Sequence, residues 1–210
     1  MFFLFLWFFL FFYATGASGS GKTHFTKSLI FNHINGESIR RVTWFYTVWQ
    51  TAYDDIQRDY QHVNFVRGLP ESLESYLEEE SGAKVFVFDD MMTECSKSSM
   101  VCDAFTKYRH HCNLSVVLIL QNIYVQGKVM RSVHLNSQYT VLFQNARDKR
   151  QFLHLASQLE PRRSGKLYDC YTDALSKPFG HFLIDTHPQT PEKLRYRSNT
   201  LKDDQIVYVV

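Results

Sequence analysis

The chain has 210 residues, 45% of them hydrophobic, and a formal net charge of +2 with histidine neutral, enough to bury the core of one α/β domain but not of two large ones. Near-balanced charge excludes a surface that binds polyanions throughout, although two local basic clusters stand out, Lys193-Leu194-Arg195-Tyr196-Arg197 and Arg147 with Lys149 and Arg150. Cys95, Cys102, Cys112 and Cys170 show no CxxC spacing, which argues against a secreted disulfide framework and for reduced thiols in an intracellular protein.

The first thirteen residues, MFFLFLWFFLFFY, carry seven of the eighteen phenylalanines and no charge. They fall short of the roughly 20 apolar residues that span a bilayer. They lack the basic start of a secretory signal, and cleavage near Ala14 to Ala17 would cut the motif that follows. Residues 9 to 15 are expected to form the first core strand of a single domain covering 9–210, with 1–8 an apolar extension or an erroneous gene start. The alternative for residues 1–13 is contact with a membrane or a partner.

Gly16, Ala17, Ser18, Gly19, Ser20, Gly21, Lys22 and Thr23 then spell GxxxxGKT. In a phosphate-binding loop the glycines let backbone N–H groups curl around phosphate oxygens, the lysine reaches the β- and γ-phosphates, and the threonine hydroxyl ligates Mg²⁺. The flanks fit that context. An apolar run precedes the motif, and HFTKSLIFNHI follows it with Phe25, Leu29 and Ile30 at helical spacing. A bare Gly/Ser linker would need neither flank.

Arg40 to Val48 reads as a second strand, rich in β-branched and aromatic residues. A polar, acidic stretch runs from Tyr53 to Tyr60, Val63 to Arg67 is a short apolar segment, and SLESYLEEE after Pro70 is a short acidic helix. Lys84 to Asp90, KVFVFDD, is an apolar strand ending in two carboxylates about 65 residues beyond the glycine-rich motif. In P-loop ATPases this is the Walker B position, at the carboxyl edge of a parallel sheet where ligands bind. Asp89 would hold the Mg²⁺ shell, directly or through water, and Asp90 would act as general base on the attacking water. A strand followed by an acidic turn is the plainer alternative for this segment alone.

Met91 to His111 carries a helix around Val101, Phe105 and Tyr108. Cys102, His110, His111 and Cys112 do not match a zinc-finger or ribbon spacing. Leu114 to Leu120 is a further strand closing on Gln121, placed either to sense the γ-phosphate and orient water or to pair, as a strand-end amide, with backbone. Tyr139 to Phe143 and His181 to Asp185 are strands, Lys149 to Gln158 is a helix stopped by Pro161, and Lys166 to Leu175 looks helical. The polar segment from Pro188 ends on a strand-like QIVYVV.

Taken together, GASGSGKT, VFVFDD, HHCNLSVVLILQN, LNSQYTVLFQNARDKRQFLHLASQL and DALSKPFGHFLIDTHPQTPEKLRYRS resemble the DNA-packaging ATPases of large eukaryotic DNA viruses, Polinton/Maverick elements and adintoviruses. These belong to the FtsK/HerA branch of P-loop motors and are similar to the vaccinia-type packaging ATPase. The resemblance implies an α/β P-loop NTPase fold of the RecA-like type, with a mostly parallel central sheet flanked by helices. It implies ATP and Mg²⁺ as cofactors, and hydrolysis coupled to moving double-stranded DNA into a preformed capsid. The partners it implies are a homo-oligomeric ring and the capsid or packaging vertex, at a host nuclear or cytoplasmic assembly site and in association with the virion. Lys22, Thr23, Asp89, Asp90 and Gln121 carry over onto matching positions. Asp90 stands where many relatives have Glu, one methylene longer. Arg131 and then Arg147 are the candidates for an arginine finger supplied to a neighbouring subunit; either could instead be an ordinary surface cation, as most single arginines are. The Phe-rich start departs from the family, whose members usually have polar sequence there.

Two other functions compete. A small nucleoside or nucleotide kinase would explain the phosphate loop and use Pro161-Arg162-Arg163 as a lid, but does not call for paired aspartates on one strand and a Gln ending the next. A non-hydrolysing nucleotide-binding scaffold would not need Lys22, Thr23, Asp89 and Asp90 intact.

Overall fold

The computed structural model describes residues 11–33, 39–77, 82–108, 113–147 and 149–210. In chain order the strands are β1 (Phe11–Thr15), β2 (Ile39–Tyr46), β3 (Val63–Arg67), β4 (Ala83–Asp89), β5 (Leu114–Leu120), β6 (Tyr139–Phe143), β7 (His181–Asp185), β8 (Tyr196–Ser198) and β9 (Ile206–Tyr208). The helices are α1 (Lys22–Ser28, continued by a π-helical turn over Leu29–His33), α2 (Thr51–Asp59), α3 (Glu74–Leu77), α4 (Met92–Lys97), α5 (Ser99–Thr106), α6 (Lys128–Asn136), α7 (Lys149–Leu159) and α8 (Ser164–Ala174).

All nine strands join one sheet in the order β3-β2-β4-β5-β1-β6-β7-β8-β9. Pairing is parallel from β3 through β6 and antiparallel from β6 to β9. The central strands read as continuous apolar runs because helices cover both faces of a parallel sheet. Thus β5 is buried at every position, and β4 at all but its first. Side chains still alternate between faces. Phe12 and Ala14 pack with Phe25, Leu29, Trp44, Tyr53 and Ile56, whereas Tyr13 packs with Phe86, Phe88, Val101, Phe105, Met130 and Val133. A third cluster joins Phe152 and Ala156 of α7 and Leu167 and Tyr171 of α8 to Phe182 of β7.

This topology gathers the strand ends that matter. Thr15 pairs in register with Leu120 and Asp89 with Ile119, so the turns after β1, β4 and β5 open side by side at one edge. Because β7 is antiparallel to β6, with Phe143 opposite His181, the turn that precedes β7 lies at the same edge.

Several sequence expectations change. The stretch after Gln50 is a helix, α2, whose single narrow apolar face is Tyr53 and Ile56, three residues apart. Residues 128–136 are helical too, burying Met130 and Val133. The helix expected after Met91 is two helices, divided at Ser98, whose side chain accepts a hydrogen bond from the Val101 N–H at 3.4 Å. The basic segment Lys193 to Arg197 is not a free patch: Tyr196 to Ser198 form a buried strand, and Arg197, 8% exposed, pairs with buried Asp185. Of residues 1–13, Phe12 and Tyr13 are core residues of β1 and unavailable to a membrane; residues 1–8 lie outside the described residues. So do His110, His111 and Cys112. Cys95, Cys102 and Cys170 are free thiols. Among the described residues no helix is long and apolar enough to cross a membrane, and no group of three metal-ligating side chains forms.

Candidate active site

The chain leaves β1 at Thr15 and turns so tightly that Gly16 has no room for a side chain. A Cβ at Gly16 would lie 2.7 Å from the Cβ of Phe143, closer than carbon atoms can pack. The Ala17 N–H donates to the Gln144 carbonyl at 3.2 Å, tying the loop to the end of β6, and the Ser20 N–H closes back on the Ala17 carbonyl at 3.2 Å. Ser18 and Gly19 form the exposed crest. Gly21 caps α1 with φ of 101°, a conformation that an L-residue with a Cβ resists. Helix α1 then starts with a Phe25 N–H to Gly21 carbonyl bond of 2.9 Å.

Lys22, the first residue of α1, is buried and bends back over the loop, its Nζ donating to the carbonyls of Gly16 and Ala17 at 2.8 Å each. Burial pulls its ammonium below the usual lysine range, while Asp89 and Asp90 oppose that shift. Thr23 comes next on the helix, and its hydroxyl donates to Asp89 Oδ2 at 3.2 Å.

Asp89 ends β4 only 2% exposed. Burial pushes its carboxyl up to about 6, against the pull of hydrogen bonds from Tyr53 and Thr23. The Tyr53 hydroxyl donates to the same Oδ2 at 2.9 Å, and burial together with Asp89 drives its own phenol far above the ordinary range. Asp90, one residue on, is exposed and left-handed with φ of 53°, which turns it away from the strand into the cleft. Its Oδ1 accepts from the Gln121 Nε2 at 2.9 Å. Gln121 is held in turn: Asn145 donates to its carbonyl at 3.3 Å, and buried Tyr13 donates to the next turn at the Ile123 carbonyl, 2.7 Å away.

These groups surround one cavity of about 200 Å³. Ser18, Gly19, Gly21, Lys22 and Thr23 form one wall and Asp89, Asp90 and Gln121 the other, with His24 and Gln50 closing the rim. Of the residues singled out from sequence, Gly16, Ala17 and Ser20 shape the loop from behind. Arg131, in the first turn of α6, and Arg147, in the turn after β6, are exposed and outside this lining. Gln50, His24 and Tyr53 escaped sequence reading. The available signal was an aromatic residue three positions into α2, but that segment's acidic composition concealed the helix. A hydroxyl and two carboxylates facing an ammonium form a hard-oxygen set suited to Mg²⁺ beside phosphate.

A glycine-rich turn after β1, paired aspartates at the end of β4 and an amide at the end of the intervening β5, all on one edge of a parallel sheet, define the P-loop NTPase fold. In fold the chain is similar to a viral genome packaging NTPase and to a type VII secretion ATPase. The genome packaging NTPase B204 from Sulfolobus turreted icosahedral virus 2, solved in complex with sulfate, superposes with a TM-score of 0.60 at 16% identity, over 87% of this chain and 94% of that one. The same protein in complex with ATP-gammaS gives 0.58 at 15% identity, over 85% and 93%. The cytoplasmic domain of the Thermomonospora curvata type VII secretion ATPase EccC gives 0.51 at 14%, over 85% of this chain and 24% of that one. No family model matches the chain, and no curated protein matches it by sequence.

Proposed function

We propose that the chain is an ATP-hydrolysing motor that moves double-stranded viral DNA into a preformed capsid. The observation that carries hydrolysis is the Asp90–Gln121 pair, joined at 2.9 Å across the cavity from Lys22. A phosphate-binding site needs the loop alone. A carboxylate held by an amide, free in the cleft rather than buried like Asp89, is an arrangement for a water molecule. In the reaction Gln121 orients the water, Asp90 takes its proton as the oxygen attacks the γ-phosphorus, and ADP leaves from the loop. Lys22 exchanges its two loop carbonyls for the β- and γ-phosphate oxygens. Thr23 and Asp89 would hold Mg²⁺, which supplies charge neutralisation on the phosphates. The packaging assignment is supported by the fold shared with B204, whose function in its own virus is genome packaging.

A homo-oligomeric ring would add a second cation at the γ-phosphate beside Lys22, an arginine from the neighbouring subunit. Arg131 and Arg147, exposed on segments that begin at the catalytic edge, are available for that role in a neighbour. DNA is gripped through its phosphates, without base readout and with an affinity that falls as salt rises; exposed Arg147, Lys149 and Arg150 fit such a grip. The working place would be an assembly site in the host nucleus or cytoplasm, with the packaging vertex as partner.

The deciding measurement is steady-state ATP hydrolysis with and without duplex DNA. Stimulation by DNA of any sequence is expected, together with ATP binding but no turnover in Asp90→Asn and weakened binding in Lys22→Ala. A rate indifferent to DNA but raised by a nucleoside or nucleotide acceptor would establish a kinase instead. Binding without turnover in the unaltered protein would establish a scaffold.

A further inference from the structure

We propose that Phe179, in the turn between α8 and β7, is the platform on which the base of the bound nucleotide stacks; the proposal rests on reading the cavity as an ATP site. Phe179 is 73% exposed, although most aromatic rings among the described residues are buried. It is nonetheless held firmly in place. Its ring lies against Gly21, such that a Cβ there would be 3.2 Å from the Phe179 Cδ1. The following Gly180 donates to the Lys177 carbonyl at 3.0 Å and has no room for a side chain, since a Cβ would come within 2.4 Å of the Ala174 carbonyl oxygen. Next in sequence, His181 packs against Phe25 and Phe143, anchoring the turn to α1 and β6.

The sheet order sets the direction in which a nucleotide must run. Asp90 and Gln121, which attend the terminal phosphate, end β4 and β5 on one side of β1, whereas the Phe179 turn enters β7 on the other side, beyond β6. A nucleotide with its γ-phosphate at the Asp90–Gln121 pair therefore leads its sugar and base away from β4 and β5, across Gly21 at the start of α1. At the end of that path stands an exposed ring resting on the loop itself. A competing seat exists: a groove of about 360 Å³ beside the β6–α7 turn, walled by Lys149, Tyr168 and Tyr171.

Stacking reads the face of a base and not its edge, so the platform accepts adenine and guanine alike. The test compares affinities for ATP and for inorganic tripolyphosphate, both with Mg²⁺, in the full chain and in Phe179→Ala, Phe179→Trp and Tyr168→Ala. Loss of a stacking partner weakens nucleotide binding by about 5-fold to about 150-fold. Phe179→Ala is expected to lose that much for ATP and GTP while binding tripolyphosphate as before, and Phe179→Trp to keep ATP affinity. Equal loss for ATP and tripolyphosphate would mean that the turn merely supports the loop and would overturn the proposal. So would loss of ATP affinity in Tyr168→Ala with none in Phe179→Ala, which puts the base in the groove. If the unaltered chain binds tripolyphosphate and ATP equally well, the phosphate site stands and the platform falls. If it binds neither, the ATP reading itself fails.

Discussion

Asp89→Asn should stabilise the metal-free protein at neutral pH while abolishing the Mg²⁺-dependent hydrolysis proposed for it. The Asp89 carboxyl is raised to about 6 from 3.8, with burial as the leading cause. A folded-state pKa above the unfolded one means that the native chain holds this proton more tightly, so stability is lost as pH climbs from about 4 to about 6 and stays lost above. At 1.36 kcal/mol per unit, the charge weighs on the fold by about 3 kcal/mol at pH 7.5 and by about 1 kcal/mol at pH 4.5. The amide in its place carries no charge, and since Tyr53 and Thr23 both donate to Oδ2, one amide oxygen can receive both. Its NH₂ adds a fixed offset of about 1 kcal/mol for an imperfect partner, identical at both pH values. Urea unfolding of both proteins in EDTA should therefore show their stability difference shifting by about 2 kcal/mol in favour of the variant between pH 4.5 and pH 7.5. Buried His181, pushed down to about 4 chiefly by burial, works in the opposite sense, but it is common to both proteins and cancels. A stability difference that is the same at both pH values would refute the reasoning, because it would show that Asp89 carries no charge penalty.

Mixing an Arg131→Ala chain with an Asp90→Asn chain should restore turnover that neither has alone, since the proposed ring would pair the intact base of one subunit with the intact cation of the next; such a cation is worth roughly 10³- to 10⁵-fold in rate. Rescue with Arg147→Ala but not with Arg131→Ala would move the finger to the β6–α7 turn. Away from the site, Arg197→Met should destabilise the fold by about 3 kcal/mol by leaving Asp185 buried without its cation, the Thr190 hydroxyl and His187 N–H still bonding that carboxylate at 3.0 Å each. Urea midpoints measure it, and Asp185→Asn in the same chain should recover part of the loss; an unchanged midpoint would show that the pair contributes nothing.

Most of the parallel sheet was legible because its strands obey one simple rule. β5 and β6 are apolar runs closed by polar residues, and their structural bounds, Leu114–Leu120 and Tyr139–Phe143, coincide with the sequence reading. The phosphate loop and the paired aspartates were legible because backbone geometry leaves few residue types able to build them. What stayed hidden are elements that bury little. Helix α2 commits only Tyr53 and Ile56 to the core, too sparse a pattern to separate from a loop, although Tyr53 supports Asp89. The three-residue β8 was hidden by its charge: Arg197 looks solvent-facing until Asp185, twelve residues earlier on β7, is found beside it.

The site also departs from local rules where the rest of the fold keeps them. Among the described residues four non-glycines adopt positive φ: Asp90, Asn113, Phe179 and Asn199. Two are asparagines, which tolerate that region through short side-chain hydrogen bonds. The other two, Asp90 at 53° and Phe179 at 58°, stand on opposite sides of the phosphate loop. A phenylalanine gains nothing from a left-handed backbone, and an aspartate at a strand end could remain extended. The Phe179 conformation costs about 1 kcal/mol or more and that of Asp90, a side chain that like asparagine tolerates this region, less; neighbouring structure imposes both, through the Asp90 N–H to Ile119 carbonyl bond at 3.2 Å and the crowded Gly180 turn. With the buried carboxylate of Asp89, the costs collect about the phosphate loop: Asp89 and Asp90 line the cavity, and Phe179 rests on Gly21 beside it. On the proposed reading each of the three has a use that stability alone does not give it: a base for water at one end of the nucleotide, a ring for stacking at the other, and an oxygen for the metal between.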